Sequence, residues 1–198
     1  MGLNFEYIPG QTPLDEEEKE ELLISSITTR SELDEFEQFN ISQAVEWTLS
    51  RKFDPDYVLS EWFVRELHRR MFSEVWGWAG TFRKSNKNIG VDKTQIAVSL
   101  NQLLENVRYW VAHSVYPHDE IAIRASHQIV SIHCFPNGNG RHSRLMADVI
   151  ITHVFNKQLF SWGQSNLTEH GETRKIYISA IHEADNGNIR PLIEFARS

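Results

Sequence analysis

His133-Cys134-Phe135-Pro136-Asn137-Gly138-Asn139-Gly140-Arg141-His142-Ser143-Arg144 interrupts an otherwise helical stretch of the chain. Before it, Ile121, Ala125, Ile129 and Ile132 recur at helical spacing after Pro117; beyond it, Leu145, Met146, Val149 and Ile150 resume the pattern. Glycines alternating with asparagines permit left-handed backbone angles, which let successive N–H groups converge on one point. The helix that restarts near Gly140 aims its unpaired N-terminal N–H groups and its dipole at that same point. Arg141 and Arg144 share a face of this helix and can grip phosphate oxygens bidentately. His133, at the end of the preceding helix, carries the side chain best suited to remove a hydroxyl proton near neutral pH. A Gly/Asn connection alone reads as a turn, and a lone histidine as structural. The combination reads as an anion cradle with a base beside it.

Outward from this segment the chain is helical almost throughout. Thr12-Pro13-Leu14-Asp15 has the form of a helix start, with a hydroxyl cap and a proline in the first turn. The acidic run from Asp15 to Glu21 reads as a solvated helix face. Ser31-Glu32-Leu33-Asp34 offers a second start, and a third helix begins at Ser60 and carries Phe63, Leu67, Met71 and Val75 at four-residue steps. From Thr81 to Gln95 the Gly, Asn, Lys and β-branched content predicts a loop with a short hairpin around Ile89 to Ile96. Helical period returns with Ile96, Leu100, Leu103, Leu104, Val107 and Val111, and two more helices cover roughly 172–184 and 191–196. The fold class is therefore all-α, a helical bundle with one small β-hairpin inserted. The organisation is an arm and acidic helix over 1–30, the first eleven residues extended, followed by one domain over 31–198.

The totals narrow the function. A length of 198 residues suits one domain with a substantial core. A net charge of −7 argues against a general nucleic-acid binder. The single cysteine, Cys134, excludes an internal disulfide framework or a multi-cysteine metal site, and fits a reducing compartment. No apolar run approaches the roughly 20 residues needed to span a bilayer, and Met1 to Tyr7 lacks the pattern of a signal peptide. The expectation is a cytoplasmic protein without a membrane or nucleic-acid partner.

The segment from His133 to Arg144 resembles the signature of the Fic (filamentation induced by cAMP) family, His-x-Phe-x-(Asp/Glu)-Gly-Asn-Gly-Arg-x-x-Arg. Trp76-Gly77-Trp78-Ala79-Gly80-Thr81-Phe82-Arg83 and Asn88-Ile89-Gly90-Val91 are similar to the family's lead-in to its target-binding flap. Ala184 to Asn188 and Pro191 to Phe195 are similar as well, and the run Pro136 to His142 resembles the subfamily called mobile mystery protein B. Together the likeness covers roughly Ser31 to the C-terminus. It implies a Fic-fold protein adenylyltransferase. His133 would take the proton from a Ser, Thr or Tyr hydroxyl of a target protein as it attacks the α-phosphate of ATP. Gly138, Asn139 and Gly140 would form the anion hole, Arg141 and Arg144 would hold the outer phosphates, and Phe135 would fix the loop from the core. Ile89, Gly90 and Val91 would pair with the target's main chain. A homodimer is compatible with this reading.

Two positions depart from the family pattern. Asn137 stands where the family has the Asp or Glu that coordinates Mg²⁺, which leaves a neutral amide oxygen as the metal ligand. Full transfer, altered phosphate chemistry, and nucleotide binding with weak catalysis all remain open on that substitution. Many Fic proteins also hold an inhibitory helix, (Ser/Thr)-x-x-x-Glu-(Gly/Asn), whose Glu pairs with the second motif arginine. Ser31 to Glu35 matches this up to Phe36, so Glu35 is expected to pair with Arg144, with Glu32 or Glu37 the choice in another register. A metal hydrolase built on His127, His133 and His142 is the reading from another class, although no His-Glu-x-x-His pattern is present. Removal of AMP from a modified protein is a variant of the first.

Overall fold

The computed structural model describes residues 12–164 and 171–198, so the arm expected over the first eleven lies outside the described residues. The helices are α1 (Glu16–Glu20), α2 (Arg30–Leu49), α3 (Pro55–Val58), α4 (Glu61–Phe72), α5 (Ile96–His113), α6 (His118–Ile132), α7 (Asn139–Val149), α8 (Glu172–Asp185) and α9 (Arg190–Arg197). Three of the starts follow from capping. Asp15 caps α1 in a reciprocal box with Glu18, and Thr29 caps α2 in a box with Glu32. Ser60 Oγ accepts from Phe63 N at 3.1 Å to start α4. The Thr12-Pro13 start is displaced: Asp15 takes the cap, and Thr12 lies ahead of the helix with its hydroxyl engaged elsewhere.

Packing brings the helices together in pairs, α6 on both α5 and α7, α2 on α4, and α8 on α9. The expected apolar stripes form one core. Phe63, Leu67, Met71, Ile96, Leu100, Ile121, Ala125, Ile129 and Met146 are all buried. Asn40 of α2 ties that helix to the end of α4: its Nδ2 donates to Arg70 O at 2.9 Å and its Oδ1 accepts from Glu74 N at 3.0 Å. The chain after α1 is held by an antiparallel bridge between Leu22 and Trp76, with Leu23 N to Val75 O at 2.9 Å and Gly77 N to Glu21 O at 2.9 Å. No helix of the described residues is long and apolar enough to cross a membrane.

The all-α class holds, but the hairpin forms no ladder, and the described residues contain no strand. The reason lies in where the main-chain groups of the loop go. Arg83 N donates to Cys134 O at 3.0 Å and Val91 N to Ile132 O at 3.3 Å, so the loop bonds to the end of α6 rather than to itself. Asp92 then caps a single 3₁₀ turn over Lys93–Gln95 that leads directly into α5. Replacing Asn40 with alanine strands a buried donor and acceptor at the α2–α4 junction. The expected loss is about 2 kcal/mol, or roughly 6 °C in Tm for a domain of this size, measured by thermal unfolding.

Candidate active site

Helix α6 ends at His133, whose backbone adopts a left-handed conformation with φ 58°. Such helix ends normally use glycine. A β-carbon held there is a local strain of the kind that marks functional positions. The turn directs the imidazole into a cavity of about 520 Å³ that is also lined by Asn137, Gly138, Asn139, Gly140, Arg141 and Arg144. The predicted cradle residues are thus gathered around one volume. His133 is 5 % exposed, and burial together with the nearby Arg83 guanidinium lowers its pKa to about 4, against a smaller opposing pull from the Val130 carbonyl. The ring is neutral at pH 7. Its Nε2 lies 3.2 Å from Thr12 Oγ1, while Nδ1 is buried without a hydrogen bond among the described residues.

The loop from Cys134 to Gly138 is rigid for identifiable reasons. Asn139 bridges both main-chain groups of Phe135, accepting from its N at 3.0 Å and donating to its O at 2.8 Å. Its side chain therefore braces the loop, and only its main chain faces the cradle as expected from the sequence. Phe135 stacks on His68 with ring centroids 3.7 Å apart. His68 Nδ1 accepts from Gly80 N at 3.0 Å, so its Nε2 carries the proton and donates to Asn137 O at 3.1 Å. Gly138 begins α7 with φ 76°, and a β-carbon there would lie 2.5 Å from the Phe72 ring. Gly140 is glycine for a different reason. A β-carbon there would meet only Arg144 Nη1 at 3.9 Å, so its small size keeps the cavity open. Cys134 is fully buried and its thiol is pushed up to about 12, which leaves it a packing residue.

The flap residues Ile89, Gly90 and Val91 are brought to His133 by Arg83, a buried residue that sequence reasoning placed only in the lead-in. Its Nε donates to His133 O at 2.7 Å, its Nη1 to Ser85 O at 2.8 Å, and its Nη2 to Val91 O. Gly90 and Ile89 line the cavity. Gly90 has φ 95°, and a β-carbon on it would lie 2.7 Å from His133 Cβ and 3.0 Å from Ile132 O. The two segments approach too closely for any other residue.

The carboxylate register on α2 differs from expectation. Glu35 is exposed, whereas Glu37 is buried and pairs with Arg141, its Oε2 2.6 Å from Nη1. Trp76 Nε1 donates to the other oxygen of Glu37, also at 2.6 Å. Phe36 is exposed and Leu33 buried, so the helix turns position 35 outward and position 37 inward. Glu37 therefore stands behind Arg141, and the Glu35–Arg144 pair does not form. Arg144 lies 5.1 Å above the Tyr177 ring and makes no ion pair among the described residues. Arg30, Asp34, Arg174 and Tyr177 also line the cavity, with Arg30 and Asp34 paired at 2.9 Å. Burial, then Arg144 and Arg141 nearby, lower the Arg174 pKa, the mark of a cationic cluster suited to an anion. None of these wall residues, nor Thr12, was singled out as a site residue from the sequence, because each reaches the cradle across a long chain separation.

The donor set does not make a resident metal site. Asn137 Oδ1 accepts from Gly138 N at 2.6 Å and its Nδ2 donates to Thr12 O at 3.1 Å, so both ends of the amide are engaged. Among the described residues no group of three His, Cys, Asp or Glu is placed to hold a metal. His142 is buried against Val64 O at 2.9 Å, and His127 pairs with Asp185 at 2.8 Å, so the three histidines have separate partners.

The two cavity glycines give opposite expectations. Gly90→Ala adds both a steric clash and a strained positive φ, and should lower stability by about 1–3 kcal/mol. Gly140→Ala meets open space on a helix and should leave stability unchanged or slightly raised. Thermal unfolding of the two variants beside the parent checks both.

Comparison with known proteins places this geometry in context. Residues 58–151 match the family model described as Fic/DOC family. The chain is 27% identical over 137 residues to "Protein adenylyltransferase Fic" of Drosophila grimshawi, an alignment covering 67% of this chain and 26% of that protein. The Aedes aegypti protein of the same name matches at 27% with the same coverage. The chain thus spans about a quarter of the length of these curated relatives. Among solved structures, the BepC protein of Bartonella tribocorum with bound AMPPNP superposes with a TM-score of 0.68 at 17% identity, over 92% of this chain and 97% of that one. Fic-1 of C. elegans gives a TM-score of 0.64 at 20% identity, over 89% of this chain and 50% of that one. The superpositions carry the fold, and over residues 58–151 the sequence matches the Fic/DOC family model.

Proposed function

We propose that the cavity binds ATP and that the protein transfers its AMP moiety to a Ser, Thr or Tyr hydroxyl of a protein, with His133 as the base. The observation that carries this reading is a neutral imidazole whose Nε2 already faces a hydroxyl, at the edge of a cavity closed by a helix N-terminus and by Arg144. The names of the curated relatives agree with it. The N–H groups at the start of α7 receive the phosphates, and Gly140 leaves room for them. Attack on the α-phosphorus breaks its bond to the bridging oxygen, and the negative charge of the departing pyrophosphate falls beside Arg144. Glu37 fixes the Arg141 guanidinium by a buried pair, which makes Arg141 the preset cation and Arg144 the adjustable one. Mg²⁺ enters as part of the substrate MgATP, held by phosphate and water rather than by a protein cage.

The run Pro136 to His142 supports membership of the mobile mystery protein B group, the net charge of −7 supports a protein partner over nucleic acid, and the single cysteine supports a cytoplasmic setting. Residues 31–198 are read as one catalytic domain. Glu37, rather than Glu35, is the carboxylate through which α2 acts on the site. A second reading, nucleotide binding with weak catalysis, is favoured by the engagement of Asn137 Oδ1 with Gly138.

Intact mass after incubation with ATP and Mg²⁺, alone and with a candidate protein substrate, distinguishes the two. The expected result is a gain of one adenylate that His133→Ala reduces by at least about 10²-fold; ATP binding without any gain supports the second reading. The base must be unprotonated, and its pKa lies near 4, so kcat/KM should stay flat from about pH 8 down to about pH 5 and fall below that. An acid limb centred near 6.5 would show that the ring is not in this environment during turnover.

A further inference from the structure

Thr12 is held against His133 with more precision than a chance contact requires. It comes from 121 residues earlier in the chain, yet its hydroxyl oxygen is 3.2 Å from Nε2 and its residue is buried. The main chain around it is anchored on both sides of the cavity mouth. Asn137 Nδ2 donates to Thr12 O at 3.1 Å, and Lys87 Nζ donates to Pro13 O at 3.4 Å. Asp15 accepts from Ser85 Oγ and pairs with Lys87 Nζ at 2.9 Å, while Glu18 pairs with the same ammonium at 2.6 Å. Leu14 is buried in the core, and the α1 cap begins one residue later. A shift of one position would expose Leu14 and break the cap, so the register that presents Thr12 is fixed.

The segment thus lies along the loop that carries Ser85 and Lys87 and offers one hydroxyl to the base. Thr12 lines the same cavity of about 520 Å³ as Gly138, Gly140 and Arg144.

We propose that Thr12 is a modification site of this protein, accepting AMP from ATP bound in the chain's own cavity. The proposal rests on the AMP-transfer reading given above and adds the acceptor. Thr12 Oγ1 forms a bond to the α-phosphorus as the bond from that phosphorus to the α,β-bridging oxygen breaks. Pyrophosphate leaves with the electron pair. The hydroxyl proton passes to His133 Nε2 and from there to solvent, leaving a phosphodiester between Thr12 and adenosine. The reaction is intramolecular, so its rate constant is independent of protein concentration. It also removes the hydroxyl from the base, which opens His133 to an external acceptor.

The test is peptide mapping by mass spectrometry of the full chain after incubation with ATP and Mg²⁺. Thr12→Ser, Thr12→Val and His133→Ala are run beside it, and thermal unfolding confirms that each variant folds. The expected result is one adenylate on Thr12 in the parent, retained on Ser in Thr12→Ser, and reduced at least tenfold in Thr12→Val and His133→Ala. The parent's rate constant should not change over a tenfold range of protein concentration. Adenylate on other hydroxyls with Thr12 bare would overturn this proposal and leave the AMP-transfer reading standing. ATP bound with no adenylate on this chain or on any added protein would overturn both.

Discussion

The carbonyl of His133 is held by the buried guanidinium of Arg83, and the geometry of the site depends on that bond. Four main-chain contacts radiate from this one residue, to His133, Cys134, Ser85 and Val91. They fasten a loop without strand pairing to the end of α6 and fix the left-handed turn at His133 from outside the helix. The same cation lies close enough to the imidazole to help burial keep it neutral. A group that holds His133 and the loop around Gly90 together also sets their separation, and Gly90 tolerates no side chain against His133 Cβ.

A second set of constraints shapes the cradle. Asn139 closes the turn on Phe135, His68 holds Phe135 and Asn137, and Phe72 presses on Gly138. The N–H groups at the start of α7 are therefore presented by a framework of buried, hydrogen-bonded groups. Preorganisation of this kind favours charge stabilisation without rearrangement during the reaction. Arg141 belongs to the framework through Glu37, whereas Arg144 rests on an aromatic face and stays available.

Much of this was legible in the sequence, because local signals agree with the fold. Ser60 caps a helix whose apolar residues fall at four-residue steps, and the same spacing located α5, α6 and α7. The cradle was legible because its members are contiguous. Thr12 looked like a helix cap, but Asp15 with Glu18 forms a reciprocal box that a lone threonine does not match. The hairpin residues had strand-like composition, but their main-chain groups found partners at the end of α6. Glu35 matched a pattern, yet the turn of α2 points Glu37 inward. Arg174 and Tyr177 lie in α8, and nothing local indicates that α8 closes the cavity. The hairpin and the α8 wall are decided by long-range contacts, whereas the Thr12 cap loses to a stronger local box and Glu35 to the facing of its own helix.

The central claim is that the bond broken in ATP is the one between the α-phosphorus and the α,β-bridging oxygen, with His133 as the base. Phosphorus NMR of the protein with MgATP and a candidate protein substrate reports that bond directly. The account predicts pyrophosphate together with a phosphodiester signal on the protein, both lost in His133→Ala. Orthophosphate and ADP in their place, or ATP unchanged, would contradict it.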